Sequence, residues 1–282
     1  MHPVEGRHDD EFIFGADNRP HLGRALRELL AFRECVWSFT VRSLRVRYKQ
    51  AALGVGWAVV QPLAFLAIFI VFFGNLAGID GGGVKYAAFA ASALVPWQFV
   101  SNAVTQGADA LIQDAGLLRK VYFPREAAVL GAAGSYLPDL FIGFVLIVLS
   151  SPLTGVRLGW ELVFVPLLAI AIAAPALAIA IPVGALAIYY RDFKYALPFA
   201  VQIWLFASPV AYPLTTIPGD LRWMYALANP VVGPLEGFRQ VFAVGAPPDW
   251  GLLGLSAASS TLLLLAGYAL FKRLERHFAD VV

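Results

Sequence analysis

The carboxylate of Asp139 lies inside a long apolar stretch, directly after Pro138. An ionised side chain at the depth of a membrane costs several kcal/mol unless it is paired or hydrated, so such a group is a functional candidate. A proton relay would need more acidic or histidine partners than the apolar stretches of this sequence contain. We therefore expect Asp139 to pair with a polar group on a neighbouring helix.

A second set of polar side chains follows a helical period. Asn102, Gln106, Asp109 and Gln113 recur at spacings that place them on one helical face. Two interpretations are open: the face lines a hydrated pathway, or it belongs to a cytoplasmic extension of the helix.

Motifs for nucleotide hydrolysis and covalent catalysis are missing from the sequence. No lysine has the glycine and Ser/Thr neighbours of a phosphate-binding loop, and neither G-x-S-x-G nor H-E-x-x-H occurs. The histidines lie in the polar termini, and the single Cys35 is predicted to be a free thiol. We predict that the chain is not an enzyme and holds no cofactor or metal; ATP hydrolysis would need a partner subunit.

Six long apolar stretches must position these groups. A bilayer core about 30 Å thick requires about 20 apolar residues per helix. The chain is 59% hydrophobic and 14% charged, against about 25% charged residues in soluble domains. We predict an all-α integral membrane protein whose transmembrane domain, residues 57–272, contains six spans: Trp57–Ala77, Tyr86–Val104, Ala127–Ser150, Leu162–Tyr189, Ala196–Tyr212 and Gly251–Phe271.

The distribution of basic residues predicts the orientation of these spans. If the N-terminus is cytoplasmic and six spans alternate, nearly all of the 21 Lys and Arg fall on the inner side, and four fall outside: Lys85, Arg157, Arg222 and Arg239. The positive-inside rule then places both termini, including residues 273–282, in the cytoplasm.

The segment before the first span is basic and amphipathic. Residues 1–21 read as a flexible cytoplasmic terminus, and residues 22–56 as an interface helix followed by a glycine hinge. A helix with this pattern fits the headgroup layer of the inner leaflet. The alternative is a solvated helix that docks on other cytoplasmic segments. The basic stripe needs no nucleic acid to explain it, because membrane spans follow directly.

The segment 213–244 is too apolar for a simple outer loop. Two helical stretches, Leu221–Leu227 and Val231–Val244, are separated by Asn229-Pro230. Broken half-helices of this kind can re-enter the outer leaflet when they are buried against protein. We expect a gate between spans five and six, with an inert surface loop as the alternative.

Several short blocks of this sequence resemble the membrane subunits of ABC polysaccharide exporters. The resemblance extends over about residues 40–275 and rests on blocks in the same order: Val46-Arg47-Tyr48-Lys49-Gln50, Leu53-Gly54, Trp57-Ala58-Val59-Val60-Gln61-Pro62, Pro96-Trp97-Gln98-Phe99, Lys120-Val121-Tyr122-Phe123-Pro124-Arg125, Tyr190-Arg191-Asp192, Ser208-Pro209-Val210, Asn229-Pro230 and Glu236-Gly237-Phe238-Arg239.

The resemblance implies a homodimer in the bacterial cytoplasmic (inner) membrane that works with two ATP-binding cassette subunits carrying ATP and Mg. The cargo implied is an undecaprenyl-linked glycan such as O-antigen, teichoic acid or galactan. An exporter of a drug or small lipid on the same fold is the nearest alternative. An integral membrane enzyme of polyprenyl-glycan metabolism, with Asp139, Glu161 and Glu236 as its acids, is less favoured because these carboxylates are scattered.

The resemblance also implies roles for particular residues. Six aromatic side chains are candidates for lining a glycan channel: Phe65, Phe69, Phe72, Phe73, Trp204 and Tyr212. A coupling helix over about residues 114–126 would dock the ATPase through Leu117, Leu118, Arg119, Lys120, Tyr122, Phe123 and Arg125. Contacts to the lipid pyrophosphate, or to ordinary anionic lipid, are expected from Arg42, Arg45, Arg47 and Lys49. The gate residues would be Asn229, Pro230, Glu236 and Arg239. Glu236 and Arg239 lie three residues apart on the second half-helix, a spacing that predicts a local ion pair.

Overall fold

The computed structural model describes residues 31–49, 54–114, 116, 123–190, 192–276 and 278. The predicted terminus 1–21, the first part of the interface helix and the end of the C-terminal segment lie outside the described residues. So do five residues of the predicted docking segment: Leu117, Leu118, Arg119, Lys120 and Tyr122.

The described part of the chain is helical and contains no strand. Its α-helices, numbered in chain order, are α1 Arg33–Lys49, α2 Trp57–Phe69, α3 Tyr86–Gln113, α4 Glu126–Gly134, α5 Leu137–Thr154, α6 Val165–Tyr189, α7 Phe193–Phe206, α8 Arg222–Ala228, α9 Val232–Arg239 and α10 Trp250–Glu275. Wider π-helical turns continue α2 over Ile70–Leu76 and α9 over Gln240–Val244. A 3₁₀ turn, Trp160–Phe164, leads into α6.

Five helical segments of the described chain are long and apolar enough to cross a bilayer: Trp57–Leu76, Tyr86–Gln113, Glu126–Thr154, Trp160–Tyr189 and Trp250–Glu275. The predicted fifth span, Ala196–Tyr212, is not one continuous helix. Its helix α7 ends at Phe206 and is about 21 Å long. Residues 207–212 continue without regular structure. Six spans and cytoplasmic termini therefore stay a prediction, which requires α7 and the following segment to cross together.

The third predicted span is broken near its inner end. Helix α4 ends at Gly134, and α5 starts at Leu137 with Pro138 in its first turn. Proline is well tolerated there, because the first-turn N–H groups have no helical partner. Asp139 consequently lies at the start of α5 rather than in the middle of an unbroken span, which corrects the sequence-based position.

Helix α3 is the central helix of the bundle. Small side chains cover its contact with α6, where a Cβ on Gly107 would lie 3.1 Å from the Cβ of Ala180. Close backbone approach of this kind is typical of helices packed within membranes. The buried cluster around α3 also includes Leu94, Phe144 and Phe238. Helices α2 and α7, by contrast, are largely exposed along their length.

Helix α1 packs across α4 at the end of the bundle that the basic residues predict to be cytoplasmic. A Cβ on Gly131 would lie 2.4 Å from the Cβ of Phe39, so the two backbones are in near contact. Phe39 and Thr40 are buried there, while Trp37 on the other face is 67% exposed. Helix α1 therefore docks on another segment of the chain, as the alternative interpretation of the basic amphipathic segment predicts. The predicted lipid contact of its outer face stays a prediction.

We expect the substitution Gly131→Ala to displace α1 from α4, because the added methyl group overlaps Phe39. Overpacking of this kind costs about 1–3 kcal/mol. The single cysteine of the chain, Cys35, packs beside this contact, and burial raises the pKa of its thiol. The rate of maleimide labelling at Cys35 should therefore rise in Gly131→Ala.

The matched control is Gly254→Ala in α10, where no atom lies within 4 Å of the added Cβ. It should leave both the labelling rate and the melting temperature of the detergent-solubilised protein nearly unchanged. Equal labelling of Cys35 in the two variants would contradict the proposed α1–α4 contact.

Candidate functional site: a groove between three helices

A groove of about 500 Å³ opens between α2, α3 and α7. Helix α2 contributes a row of phenylalanines at helical spacing, and α3 contributes Trp97 at the groove floor. Helix α7 supplies the opposite wall, including Gln202 and Phe206. The groove exists because α2 and α7 each contact α3 while leaving a space between themselves.

Four of the six predicted channel aromatics line this groove: Phe65, Phe69, Phe72 and Phe73. Phe65 and Phe72 are exposed, whereas Phe69 is 6% exposed and packs in a tilted arrangement on Phe73, with 5.1 Å between the ring centroids. Helices α2 and α7 thus border one open space. Whether a glycan passes along these rings stays a prediction.

Trp204 and Tyr212 do not line the groove. The indole N–H of Trp204 donates to Asn229 Oδ1 at 2.9 Å, and its ring packs edge-on against Trp97. The Tyr212 hydroxyl lies 3.0 Å from that of Tyr225. Both side chains therefore connect the end of α7 to the outer segment, and their position counts against the predicted channel role.

The groove also contains four amide side chains, of which the sequence analysis singled out Asn102 and missed the three glutamines. Gln61 on α2 and Gln202 on α7 are exposed, and Gln98 and Asn102 on α3 lie between them. The sequence did contain a signal for two of them, because Gln61 and Gln202 each stand alone in an apolar stretch. A glutamine side chain is costly in lipid unless water or a ligand reaches it.

The polar face predicted on α3 lines an open space at its inner end. A second cavity, of about 300 Å³, is bordered by Thr105, Gln106 and Asp109 from α3 and by Lys194 from α7. It shares Ser101 and Pro198 with the groove, so the two spaces adjoin. The cavity is compatible with both interpretations of this face, which stay open.

Asp139 is paired, as expected, and its partners lie on α1. Its carboxylate accepts hydrogen bonds from the guanidinium of Arg47, with a 3.0 Å ion-pair distance, and from the hydroxyl of Tyr48. Arg47 also donates to the carbonyl of Ser135 at 3.0 Å, at the break between α4 and α5. Burial, followed by the hydrogen bond to Asp139, raises the pKa of Tyr48 to about 12, so the phenol stays protonated and donates.

The four basic residues predicted to contact lipid divide into two pairs. Arg47 points inward to Asp139, and Arg42 pairs with the buried carboxylate of Asp114. Arg45 and Lys49 lie exposed, one turn apart, on the outer face of α1. These two are the members of the set that remain available to an external anion.

The two described residues of the predicted docking set are engaged in the bundle. Phe123 is 7% exposed and packs at 5.1 Å on Phe39, so its burial counts against a docking role for the ring. Arg125 donates to the carbonyl of Glu275 at 2.8 Å. Next to it, the buried Glu126 accepts from Lys272, which ties the start of α4 to the end of α10.

The predicted outer segment contains two short helices, α8 and α9, that flank Asn229-Pro230. The predicted Glu236–Arg239 pair is confirmed at 2.7 Å. Arg239 is buried, stacks on the Phe89 ring at 3.9 Å and donates to the carbonyl of Pro209.

Other donors bind the same stretch after α7. Asn229 donates to Ala207 at 3.0 Å, Tyr225 donates to the same carbonyl, and Tyr86 donates to Ala211. The predicted gate residues Asn229 and Arg239 therefore hold the outer segment onto the end of α7. A gating motion stays a prediction.

Taken together, these features define a helical membrane protein with a half-open groove between loosely packed helices and with charged contacts at its inner end. The family model for the ABC-2 type transporter matches residues 34–243, well over half of the chain. The chain therefore belongs to the ABC-2 type transporter family. Multi-pass insertion in a bacterial inner membrane agrees with this membership and with the apolar helices.

The chain is also similar to named proteins over most of its length. It is 26% identical over 260 residues to the O-antigen export system permease protein RfbA of Myxococcus xanthus, covering 92% of this chain and 99% of that protein. It is 24% identical over 245 residues to RfbA of Klebsiella pneumoniae, covering 86% and 93%. It is 24% identical over 247 residues to the polysialic acid transport protein KpsM of Escherichia coli, covering 83% and 91%.

The substitution Asp139→Ala should destabilise the protein, because it leaves the Arg47 guanidinium without its carboxylate. Loss of a partner for a partly buried charged group costs about 1–3 kcal/mol. A lower melting temperature of the purified protein is the expected result. Asp80→Ala, which removes an exposed carboxylate in an outer loop, should have little effect. Equal shifts of the melting temperature in the two variants would show that the Arg47–Asp139 ion pair contributes nothing to stability.

The substitution Arg239→Met should loosen the outer segment, because Glu236 and the Pro209 carbonyl both lose their donor. Removing one partner of a buried ion pair costs about 3 kcal/mol. Limited proteolysis should show faster cleavage near residues 207–231, and Arg239→Lys should be intermediate. Arg222→Met, at a more exposed arginine bonded to Ile217, should cost less than about 1 kcal/mol. Unchanged proteolysis in Arg239→Met would contradict the stabilising role of the Arg239 contacts.

Proposed function

We propose that this chain is the membrane subunit of an ATP-driven exporter that moves undecaprenyl-linked polysaccharide across the cytoplasmic membrane. The observation that carries the proposal is the groove between α2, α3 and α7, which combines exposed aromatic rings with unpartnered amides at span depth. Aromatic faces and amides are suited to sugar rings and their hydroxyl groups. The names of the relatives, which export O-antigen or transport polysialic acid, support the same class of cargo.

The ATP is hydrolysed by a partner in this proposal. Membership of the ABC-2 family implies ATP-binding cassette subunits. The docking segment, about residues 114–126, begins at Asp114, which binds Arg42 of α1, and ends at Glu126, which binds Lys272 of α10. Because both ends are fixed to other helices, a push on this segment would be passed to α1 and α10. ATP and Mg would be held by the cassette subunits.

Two copies of the chain form the conducting unit in this proposal. The groove is open on one side, and α2 and α7 on its rims carry exposed apolar residues such as Phe65, Phe72 and Phe199. A second copy facing the first would enclose the space between two such grooves. This arrangement would shield the polar lining from lipid without filling it.

The lipid pyrophosphate would be contacted by Arg45 and Lys49. Both cations are exposed on the outer face of α1, beside the exposed side chains of Trp37 and Val46. A cation next to apolar side chains suits an anionic headgroup at the inner leaflet. Arg47 is turned toward Asp139, and Arg42 pairs with Asp114 while staying half exposed on the surface that it shares with Arg45 and Lys49.

Deletion of the gene in the native host, followed by fractionation of lipid-linked glycan, tests the proposal. We expect finished polymer to accumulate inside the cell and to return to the surface when the wild-type chain is supplied. Unchanged surface glycan would instead favour an exporter of a drug or small lipid. Loss of polymer from both compartments would favour a biosynthetic enzyme.

A further inference from the structure

We infer that the groove binds an uncharged, hydroxyl-rich sugar chain through a cluster of amide side chains: Gln61, Gln98, Asn102 and Gln202. The inference rests on the proposed export function and adds the class of polymer to it. The repeating unit would be neutral, unlike the polysialic acid in the name of the KpsM relative. A polymer with a carboxylate in each repeat would be transported poorly.

The amides have no partner within the described part of the chain. Gln61 and Gln202 are exposed and make no side-chain hydrogen bond there, and Gln98 Nε2 is buried without an acceptor. An amide moved from water into an apolar medium without a partner is strongly disfavoured. Three separate helices nevertheless point such groups into one groove. A ligand or water that supplies both donors and acceptors would remove this penalty.

The chemistry of the lining selects the ligand. Each amide offers a donor and an acceptor, as a sugar hydroxyl does, so the two groups satisfy each other in either direction. The aromatic rings of Phe65 and Phe72 border the same space and offer flat apolar surfaces to the faces of sugar rings. This mixture of amide and aromatic groups matches a sugar better than it matches a lipid tail.

The charges near the groove disfavour an anionic polymer. None of the described residues lining the groove is charged. A small cavity of about 20 Å³, room for one water, lies behind Gln61, Gln98 and Asn102 and reaches Asp139. The one charged side chain among the described residues of these two surfaces is Asp139, which is already paired with Arg47. Neither surface therefore offers a free cation to the carboxylates of a polymer. At the inner cavity, Lys194 is accompanied by Asp109, so no cationic surface forms there.

Inside-out membrane vesicles containing this chain and its ATPase partner provide the test. Two lipid-linked polymers of matched length serve as probes: a mannose homopolymer, and a polymer with a uronic acid in each repeat. After ATP is added, the fraction of polymer protected from added glycosidase measures transport. We expect at least tenfold more protected mannose polymer than uronic acid polymer.

Variants test whether the amides carry this preference. The double variant Gln61→Leu with Gln202→Leu should lower transport of the mannose polymer about tenfold, with unchanged recovery of the ATPase complex. Gln202→Lys should increase transport of the uronic acid polymer at least threefold, because it places a cation in the groove. Ile203→Gln is the matched control, since it puts an amide on the adjacent exposed residue outside the groove. It should transport both polymers as the wild type does.

Equal transport of the two polymers, unaffected by the leucine variants, would overturn the inference and leave the export function standing. Transport of neither polymer by the wild-type complex would overturn the proposed function itself.

A Gln202→Cys variant in a Cys35→Ala background tests for a second copy inside the groove. Labelling by a water-soluble maleimide supports a hydrated groove. Spontaneous disulfide dimers without labelling would show that the groove is filled by the partner chain, which overturns the inference.

Discussion

A polar group at membrane depth must find a partner within the protein or in water, because lipid tails offer none. The structure meets this constraint at two irregular points of its described spans with side chains from other elements. Arg47 of α1 donates to Ser135 at the break between α4 and α5. Asn229 and Arg239 of the outer segment donate to the carbonyls that follow α7. The helical breaks are therefore stabilised by contacts between segments that are distant in the sequence.

These contacts decide which parts of the bundle are held together and which are loosely packed. Helix α3 is surrounded by close contacts, and α1 is fixed to it and to α5 through Arg42 and Arg47. Helices α2 and α7 lack such surroundings and leave a groove on one side of α3. Regions with few buried contacts open more readily than a packed core. The tightly packed α3 stabilises the bundle, and the loosely packed α2 and α7 lie next to the proposed pathway.

The amides of the groove are the exception to the constraint, and the exception carries the functional argument. Structural polar groups such as Asp139 and Arg239 are paired, whereas Gln61 and Gln202 are not. The ion pairs of Asp139 and Arg239 stabilise the bundle, whereas the exposed glutamines in apolar helices make no such contact within its described part. Contact with water or a hydroxyl-rich cargo explains them, and it also explains why the polar face of α3 continues into an open inner cavity.

The sequence by itself determined the helical, membrane-spanning class, the family resemblance, the broken outer segment and the Glu236–Arg239 pair. These features depend on apolar length, short blocks of motif and local helical spacing, which are all properties of neighbouring residues. The tertiary structure alone decided that Asp139 binds α1 and that Trp204 donates a hydrogen bond to Asn229 of the outer segment. It also decided that glutamines from separate helices share one groove. The physical reason is that helical periodicity fixes the face of the helix on which a residue lies. Which residues pack against that face depends on how helices far apart in the sequence come together.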